Sequence, residues 1–383
     1  MEEHVGEFYE KLGDAYVVQK VNSLEELFNR RKGLFYHLGI PSALLKGKRI
    51  LELGSGDGFN SLSTLSCEPS QYMYVEANPK VLETSRHLTG TYKKETGVGT
   101  DLLFENSRIE DFTTDISFDL IICEAVIPFQ QKDPRAIFRK VLSLAGPGAV
   151  VVVTCGDAVS SVSDLMRRLM ALMLMDGRLP LPEQIESIEP FFAEHFRNLP
   201  GMTKTVTASL YSTTMPIFGK LFSIADAIDC AEDVADVFGA SPRFCTDWRW
   251  YKDLSGRRTG SNDTMREGWR KNVHSFIDYQ HIFPARSVED NMALYKSAQA
   301  FFDMVIEYQN SKADGSIAEA VIILRDIAAR IATINAEGGI TAQRITDGAA
   351  ALELMAADHT YHDCGSFTHF FGRGQQHLSF MKV

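Results

Sequence analysis

The chain has 383 residues, of which 45% are hydrophobic and 23% are charged, the composition of a globular protein with a large core. Because a domain usually has about 100 to 200 residues, we expect a core with added elements. The formal net charge of -11 argues against a nucleic-acid partner, since binding to phosphates depends on clustered Lys and Arg.

The N-terminus and the cysteines bear on where the protein works. The opening Met1-Glu2-Glu3 is acidic, and no apolar segment typical of a signal peptide follows it. The longest apolar stretch, Leu169 to Met175, is too short to cross a membrane. The six cysteines are scattered along the chain, which suggests reduced thiols. We therefore expect a soluble cytoplasmic protein without a membrane partner.

Residues 1–45 are predicted to be a helical segment. Apolar residues recur there at three- and four-residue steps before Gly39-Ile40-Pro41. Such a helix could lie over a ligand site or pack against a sheet for stability, and both roles bury one apolar stripe.

The stretch Arg49 to Asn60 has the pattern of a strand, a tight loop and a helix. The strand-like run Ile50 to Leu53 breaks into three alternate glycines, Gly54, Gly56 and Gly58, before a helix from about Asn60. Glycine permits positive φ in such a turn and leaves the backbone amides open to a ligand. This glycine loop (residues 54–58) is therefore predicted to bind a ligand.

Further strand-like runs follow at regular intervals. Tyr72 to Val75 ends in Glu76, Phe118 to Cys123 ends before Glu124, and Ala149 to Thr154 closes the series. The alternation predicts an α/β fold with a doubly wound, Rossmann-like parallel sheet over residues 46–160, in which ligands bind at the carboxyl ends of the strands. Glu52, Glu76 and Glu124 all fall at such ends.

In these residues the chain resembles the class I S-adenosylmethionine-dependent methyltransferases. The resemblance rests on Glu52-Leu-Gly-Ser-Gly-Asp-Gly58, the acid in Val75-Glu-Ala-Asn-Pro79, the turn Arg108-Ile-Glu-Asp111, and the run from Phe118 to Val126 that leads to Ala149. It covers roughly residues 46–155. It implies S-adenosyl-L-methionine as the cofactor.

The resemblance also implies roles for individual residues. The glycines would surround the methionine part of the cofactor, with Glu52 near its ammonium group. Glu76 would accept from both ribose hydroxyls, and the amide of Ile109 would meet the adenine ring. Many relatives have Asp-Ala where this chain has Arg108-Ile109, so Glu110 or Asp111 would replace the usual adenine acceptor. The cofactor-binding residues are predicted to be Glu52, Gly54, Ser55, Gly56, Gly58, Asn60, Glu76, Ala77, Asn78, Ile109, Glu110, Asp111 and Glu124.

A nicotinamide or flavin enzyme is the competing prediction for the same letters. Pyrophosphate binding requires Gly-x-Gly-x-x-Gly, with the last glycine allowing close packing of the helix. Counted from Gly54, that position is Phe59. The missing glycine argues against a dinucleotide cofactor.

Two residues are candidates for catalysis. Glu124 would lie near the transferred methyl group or the substrate, or would cap the next helix. His195 lies in the proline-containing stretch 180–201, which is predicted to be loop-rich, and its near-neutral pKa suits a general base. The histidines and Cys364 of the tail form one cluster with irregular gaps, so we expect no metal site.

The acceptor pocket is predicted to come from residues 161–260. A Met-rich helix is predicted from Ser163-Asp164, and an aromatic strand over Phe244 to Tyr251 carries Trp248 and Trp250, which could hold a ring substrate. Arg373, in a loop before the C-terminal strand, could clamp a carboxylate or phosphate.

The C-terminal part is predicted to be mostly helical. Residues 261–365 form a helical subdomain, with one helix capped by Ser287 and another ending at Gly338-Gly339. It could shape specificity, cover the site or form a homodimer, and the sequence does not choose. Residues 366–383 are predicted to return to the sheet as its antiparallel edge strand.

The sequence therefore predicts a methyltransferase that acts on an oxygen or nitrogen atom of a small-molecule acceptor. The first alternative is an aminopropyltransferase that uses decarboxylated S-adenosylmethionine, which Gly56-Asp57-Gly58 also resembles. Those enzymes have an N-terminal β-hairpin domain and an aspartate after the fourth strand, whereas this chain has a helical start and Glu124. The second alternative is a non-catalytic, cofactor-binding scaffold.

Overall fold

A computed structural model describes residues 23–128, 133–200, 205–214, 219–254, 260–312 and 314–383. The strands in the described part are β1 Arg49–Leu53, β2 Gln71–Glu76, β3 Asp101–Asn106, β4 Phe118–Cys123, β5 Ala145–Gly156, β6 Ala235–Ser241 and β7 Gln375–Lys382. They form one sheet with the order β3-β2-β1-β4-β5-β7-β6, in which β7 is antiparallel to both of its neighbours.

Twelve α-helices are described around this sheet. They are α1 Leu24–His37, α2 Ser61–Leu65, α3 Pro79–Thr96, α4 Pro134–Ser143, α5 Ala158–Leu174, α6 Leu181–Arg197, α7 Val206–Thr214, α8 Ile224–Ala231, α9 Ser261–Asn272, α10 Val288–Ser311, α11 Asp314–Ala332 and α12 Ala336–Asp358. The predicted Rossmann-like sheet and added helices are confirmed.

The two faces of the sheet bury different layers. On one face a small core joins Ile50, Tyr72 and Ile122 to α1 and α2, and on the other face a large core continues into the C-terminal helices. Burying apolar side chains on both faces is typical of parallel strands, which therefore have nearly continuous apolar sequences. That is why β4 and β5 are easily recognised in the sequence.

Helix α1 lies on the sheet through its C-terminal end. The backbone of Leu38 approaches Gly239 of β6 so closely that a Cβ there would be 2.6 Å from the Leu38 carbonyl carbon. The hydroxyl of Ser379 in β7 donates to the Leu38 carbonyl oxygen at 2.7 Å. Of the helical segment predicted over residues 1–45, positions 1–22 lie outside the described residues.

Three elements differ from the sequence-based expectation in type or position. The last strand, β7, is antiparallel as predicted, but it is not at the edge, because β6 pairs with its outer side. The prediction of a strand over Phe244 to Tyr251 is wrong, since the strand in this region is Ala235–Ser241. The stretch predicted as loop around His195 is helix α6, which tolerates a proline in its first turn.

Two helix ends also differ. Helix α5 begins at Ala158 rather than at Ser163, because the Asp157 carboxylate accepts from the amide of Val159 and caps it. Gly338 does not end a helix. Asn335 accepts from its amide at 2.8 Å and thereby starts α12.

The C-terminal helices pack on α5. Helix α10 contacts α5, α11 contacts α10 and α12, and α12 also contacts α5. Within this layer, buried Asp278 accepts from Thr341 and Arg344, both at 2.9 Å, and ties the turn before α10 to α12. Among the described helices, none has the length and apolar character needed to cross a membrane.

Candidate functional site

The glycine loop has the backbone geometry that the sequence predicts. Gly54, Gly56 and Gly58 have φ values of 71°, 56° and 77°, in the left-handed region that side chains disfavour. A Cβ on Gly54 would lie 2.3 Å from Val126, whereas one on Gly56 would meet no atom within 4 Å. The turn therefore packs tightly at Gly54 and is open at Gly56.

Glu76 lies beside this opening, at the carboxyl end of β2. Its Oε2 accepts from the Gly56 amide at 3.1 Å, and its Oε1 accepts from the Asn78 amide at 3.0 Å. Burial raises the pKa of Glu76, and the two amides lower it in part. A carboxylate oxygen has two lone pairs, so each oxygen can still accept one hydroxyl.

These residues fit S-adenosyl-L-methionine. A nucleoside with two vicinal hydroxyls needs paired acceptors, which the fixed Glu76 carboxylate provides. The open face of Gly56 allows a ligand to approach the backbone closely. When bound, the cofactor would supply an electrophilic methyl group, and this part of the chain would bind and orient it.

The predicted adenine-side residues lie at the ends of β2 and β3. Asn78 is buried and caps α3, with its Oδ1 accepting from the Lys80 amide at 3.0 Å. Ala77 is exposed, and its carbonyl accepts from the side chain of Asn106. Asn106 was not predicted, although its place at the end of β3 resembles that of Glu76 on β2. Ile109 is buried, and Glu110 and Asp111 are exposed.

Glu52 lies under the loop and is occupied by neighbouring hydroxyls. It accepts from Ser61 at 2.5 Å and from Tyr72 at 2.7 Å. Burial raises the pKa of Glu52 to about 7, against the effect of both hydrogen bonds. The Ser55 hydroxyl is buried without a hydrogen-bond partner in the described chain. Asn60 precedes α2 without capping it through its side chain.

Glu124 follows β4 directly and is paired with Arg31 of α1. The guanidinium donates from both terminal nitrogens, at 2.7 and 2.9 Å, and both side chains are nearly buried. Burial alone would raise the pKa of Glu124, but the charge and hydrogen bonds of Arg31 outweigh it, and the pKa is lowered. Glu124 is therefore an ionised carboxylate at the carboxyl edge of the sheet.

Sequence analysis missed Arg31. Leu27, Arg31 and Phe35 are the buried residues of α1, so a cation replaces the middle residue of an apolar stripe. A charged residue in such a stripe is almost never fully buried unless it is paired. That pattern predicts a buried partner for Arg31, although it does not identify Glu124.

His195 lies in a different environment from the one that a general base needs. Its Nε2 is 3.1 Å from the Tyr361 hydroxyl, and its ring packs against Phe192 and Phe367. Burial and the nearby charge of Arg167 lower the pKa of His195 to about 3. None of these neighbours is a predicted cofactor-binding residue, so the geometry does not favour His195 as the base.

The predicted substrate residues are not brought together by any direct contact in the described chain. The side chains of Trp248 and Trp250 are exposed, at 90% and 58%. Arg373 is engaged elsewhere: its Nε donates to the Ser275 carbonyl at 2.8 Å and its Nη2 to the His281 carbonyl at 2.7 Å. Burial lowers the pKa of Arg373.

The tail cluster does not converge on one point. His362 is 2.8 Å from Asp358, and Cys364 is buried against the His362 carbonyl. No group of three metal-ligating side chains occurs among the residues searched, which are those of the described ranges.

Comparison with known proteins gives one match to a family model. A model described as a methyltransferase domain matches residues 44–192, which contain β1 to β5 and the glycine loop. Among proteins with curated descriptions, none matches the chain.

Solved structures with similar folds are distant. An S-adenosylmethionine-dependent methyltransferase from Mesorhizobium loti is 20% identical, with 30% of this chain aligned to 49% of that one and a TM-score of 0.26. Magnesium protoporphyrin IX methyltransferase from Synechocystis with bound SAH is 12% identical, with 64% of this chain aligned to 88% of that one and a TM-score of 0.34.

An arsenic(III) S-adenosylmethionine methyltransferase from Chlamydomonas reinhardtii is 22% identical, with 34% of this chain aligned to 48% of that one and a TM-score of 0.28. The chain thus spans about half the length of the Mesorhizobium and Chlamydomonas proteins.

Proposed function

We propose that residues 44–192, which match a model described as a methyltransferase domain, form the catalytic domain of a class I S-adenosylmethionine-dependent methyltransferase, and that the chain methylates an oxygen or nitrogen atom of a small-molecule acceptor. The observation that carries the proposal is the contact between Glu76 and the Gly56 amide, at 3.1 Å. It joins the glycine loop to the acid of the next strand beside an open backbone face.

The cofactor half of the site is proposed in detail. Gly54, Gly56 and Gly58 would surround the methionine part, and Glu76 would hold the ribose. Glu52 is proposed to act near the ammonium group, through Ser61 and Tyr72, because its carboxylate is already bonded to them. Ser55 is a further proposed donor, since its buried hydroxyl lacks a partner within the described ranges.

The acceptor is proposed to bind beside Glu124. Methyl transfer from a sulfonium needs mainly alignment of the nucleophile, the methyl carbon and the sulfur in line. The ionised Glu124 is rigidly held by Arg31 and can orient a hydroxyl or amine by accepting its hydrogen. Trp248, Trp250 and Arg373 stay proposed substrate residues, with support only from their residue types.

Other parts of the proposal concern partners and location. A homodimer through the C-terminal helices is supported by apolar side chains on α11 and α12, where Ile322, Ile340 and Leu354 are 65%, 49% and 52% exposed. A cytoplasmic location is supported by six free cysteines. The absence of a nucleic-acid partner is supported by the net charge of -11.

Product analysis tests this function against its alternatives. The purified protein is incubated with S-adenosylmethionine and a panel of phenols, carboxylic acids and amines, and separately with decarboxylated S-adenosylmethionine and a diamine. Methyl transfer releases S-adenosylhomocysteine, and aminopropyl transfer releases methylthioadenosine. We expect S-adenosylhomocysteine with at least one acceptor, at a rate above that without acceptor. Methylthioadenosine alone would establish the aminopropyltransferase. Cofactor binding without either product would establish the scaffold.

A further inference from the structure

We propose that His377 of β7 takes the proton from the methyl-accepting atom and is a catalytic residue of this site. The inference rests on the proposed function, because only a hydroxyl or protonated amine acceptor needs a base. It assigns to His377 the task that sequence analysis gave to His195.

Strand register places His377 at the ligand edge of the sheet. It lies opposite Thr154 of β5 on one side and Ser241 of β6 on the other, near the carboxyl end of each strand. The carboxyl ends of β5 and β6 lie at the same edge of the sheet as the carboxyl end of β4, which Glu124 follows directly. Ligands of open α/β sheets bind outside this edge.

The side chain of His377 projects toward the layer of α1. Side chains alternate between the faces of a strand, so residues 377 and 379 share one face. The Ser379 hydroxyl marks that face, since it donates to Leu38 at the end of α1. Glu124 follows Cys123, whose partner in the register is Val153, the neighbour of the Thr154 that pairs with His377. Glu124 and Arg31 of α1 both act electrostatically on His377.

The hydrogen bonding of the His377 imidazole differs from that of three other histidines. The side chain is half-buried and has no hydrogen-bond partner among the residues that the structure describes. By contrast, His195 is bonded to Tyr361, His274 to the Pro284 carbonyl and His37 to Ser241. Within the described ranges, either ring nitrogen of His377 can therefore accept a proton from a ligand, whereas each of the other three has one ring nitrogen already engaged.

The surroundings of His377 favour the neutral ring, which is the form that can accept a proton. Burial lowers the pKa of His377, Glu124 raises it in part, and Arg31 lowers it again, with a net fall. The imidazole is therefore neutral near pH 7. When the ring takes a proton, the Glu124 carboxylate offsets part of the cost of charging it, because Glu124 raises the pKa of His377. On β6, the group nearest in the register is Ser241, which is bonded to His37 at the end of α1.

With a hydroxyl acceptor, the proposed step transfers the methyl group to oxygen and the hydroxyl proton to His377. The acceptor oxygen forms a bond to the methyl carbon while the bond from that carbon to sulfur breaks, and the bonding pair stays on sulfur. The hydroxyl proton passes to a ring nitrogen of His377. The products are a methyl ether, S-adenosylhomocysteine and an imidazolium, which then loses its proton to water.

The test compares two phenols of different acidity. Wild type, His377→Asn and the control His87→Asn, whose side chain is exposed on α3, are assayed with phenol and with 4-nitrophenol at pH 8. We expect His377→Asn to lower kcat for phenol by about 10²- to 10⁴-fold, the usual contribution of a general base. The loss should be far smaller for 4-nitrophenol, which ionises near neutrality without help. The KM for S-adenosylmethionine should be unchanged.

Added imidazole should restore part of the phenol rate in His377→Asn and should not affect His87→Asn. Equal losses for the two phenols would indicate a structural role and would overturn the inference, as would a kcat like that of wild type. If wild type binds no S-adenosylmethionine, the proposed function itself fails. If wild type binds S-adenosylmethionine and His377→Asn has a normal rate, only the role of His377 is refuted, and the proposed function stands.

A second measurement needs no acceptor. The imidazole resonances of His377 are assigned by comparing wild type with His377→Asn, and they are followed by NMR from pH 5 to 9 in the presence of S-adenosylhomocysteine. We expect a neutral ring at pH 7.5, with a further fall in its pKa in Glu124→Gln. A charged ring at pH 7.5 would contradict the inference.

Discussion

Replacing Glu76 by Ala should weaken cofactor binding strongly. In the proposed complex the carboxylate accepts two ribose hydroxyls, and a hydrogen bond to a charged group contributes about 1.5 to 3 kcal/mol. Two such bonds amount to about 3 to 6 kcal/mol, and each 1.4 kcal/mol is a tenfold change in Kd, so the expected loss is roughly 10²- to 10⁴-fold. We expect a loss in the upper half of this range, because the substitution also removes the acceptor of the Gly56 amide.

Titration calorimetry with S-adenosylhomocysteine measures this loss, and two variants control it. Glu76→Gln keeps the shape and one acceptor oxygen, so its Kd should fall between those of wild type and Glu76→Ala. Glu105→Ala removes an exposed acid from β3, opposite Val75, and should leave the Kd unchanged. Thermal unfolding shows whether each variant is folded. A folded Glu76→Ala with the Kd of wild type would refute the placement of the ribose on Glu76.

Three further changes have defined outcomes. Gly56→Ala should abolish the binding of S-adenosylhomocysteine in calorimetry while the protein stays folded, because the added methyl group points into the open face of the loop. Normal binding would show that this face carries no ligand. Arg31→Ala should lower the free energy of unfolding, measured by urea denaturation, by about 3 to 5 kcal/mol, because it leaves the buried Glu124 carboxylate unpaired. The control Lys32→Ala, at an exposed position of the same helix, should leave the free energy of unfolding unchanged. Equal effects of the two substitutions would contradict the pairing of Arg31 with Glu124. Because burial raises the pKa of Glu52 to about 7, the folded state holds this proton more tightly than the unfolded chain does. Its contribution to stability is full below about pH 4 and is lost as the pH rises through 7, by up to about 3 kcal/mol, and Glu52→Gln should flatten that slope. A slope unchanged in the variant would assign the effect to other groups.

The strands and the glycine loop could be predicted because their signals are local. The positive φ of Gly56 follows from a strand that turns into a helix within a few residues, and the apolar run of β4 follows from burial on both faces. Strand β6 could not be found in this way. Its sequence contains Gly239 and two alanines, so its pairing with β7 decides its structure, whereas the aromatic stretch after it has the stronger intrinsic preference for a strand.

The acceptor side of the site depends on contacts between distant parts of the chain. Arg31 meets Glu124 across 93 residues, and His377 reaches the same edge only because β7 inserts between β5 and β6. No spacing in the sequence encodes either contact. His195 was predicted to lie in a loop because several prolines surround it. Pro182 and Pro190 are instead accommodated in α6, and the imidazole ring of His195 is buried.

The most direct test of the central claim is a parallel calorimetric titration of the purified protein with S-adenosylmethionine, S-adenosylhomocysteine, decarboxylated S-adenosylmethionine and NAD. We expect the first two to bind tightest, because the open face at Gly56 and the carboxylate of Glu76 fit an amino-acid nucleoside. Tighter binding of the decarboxylated compound or of NAD, or no binding of any of the four, would contradict it.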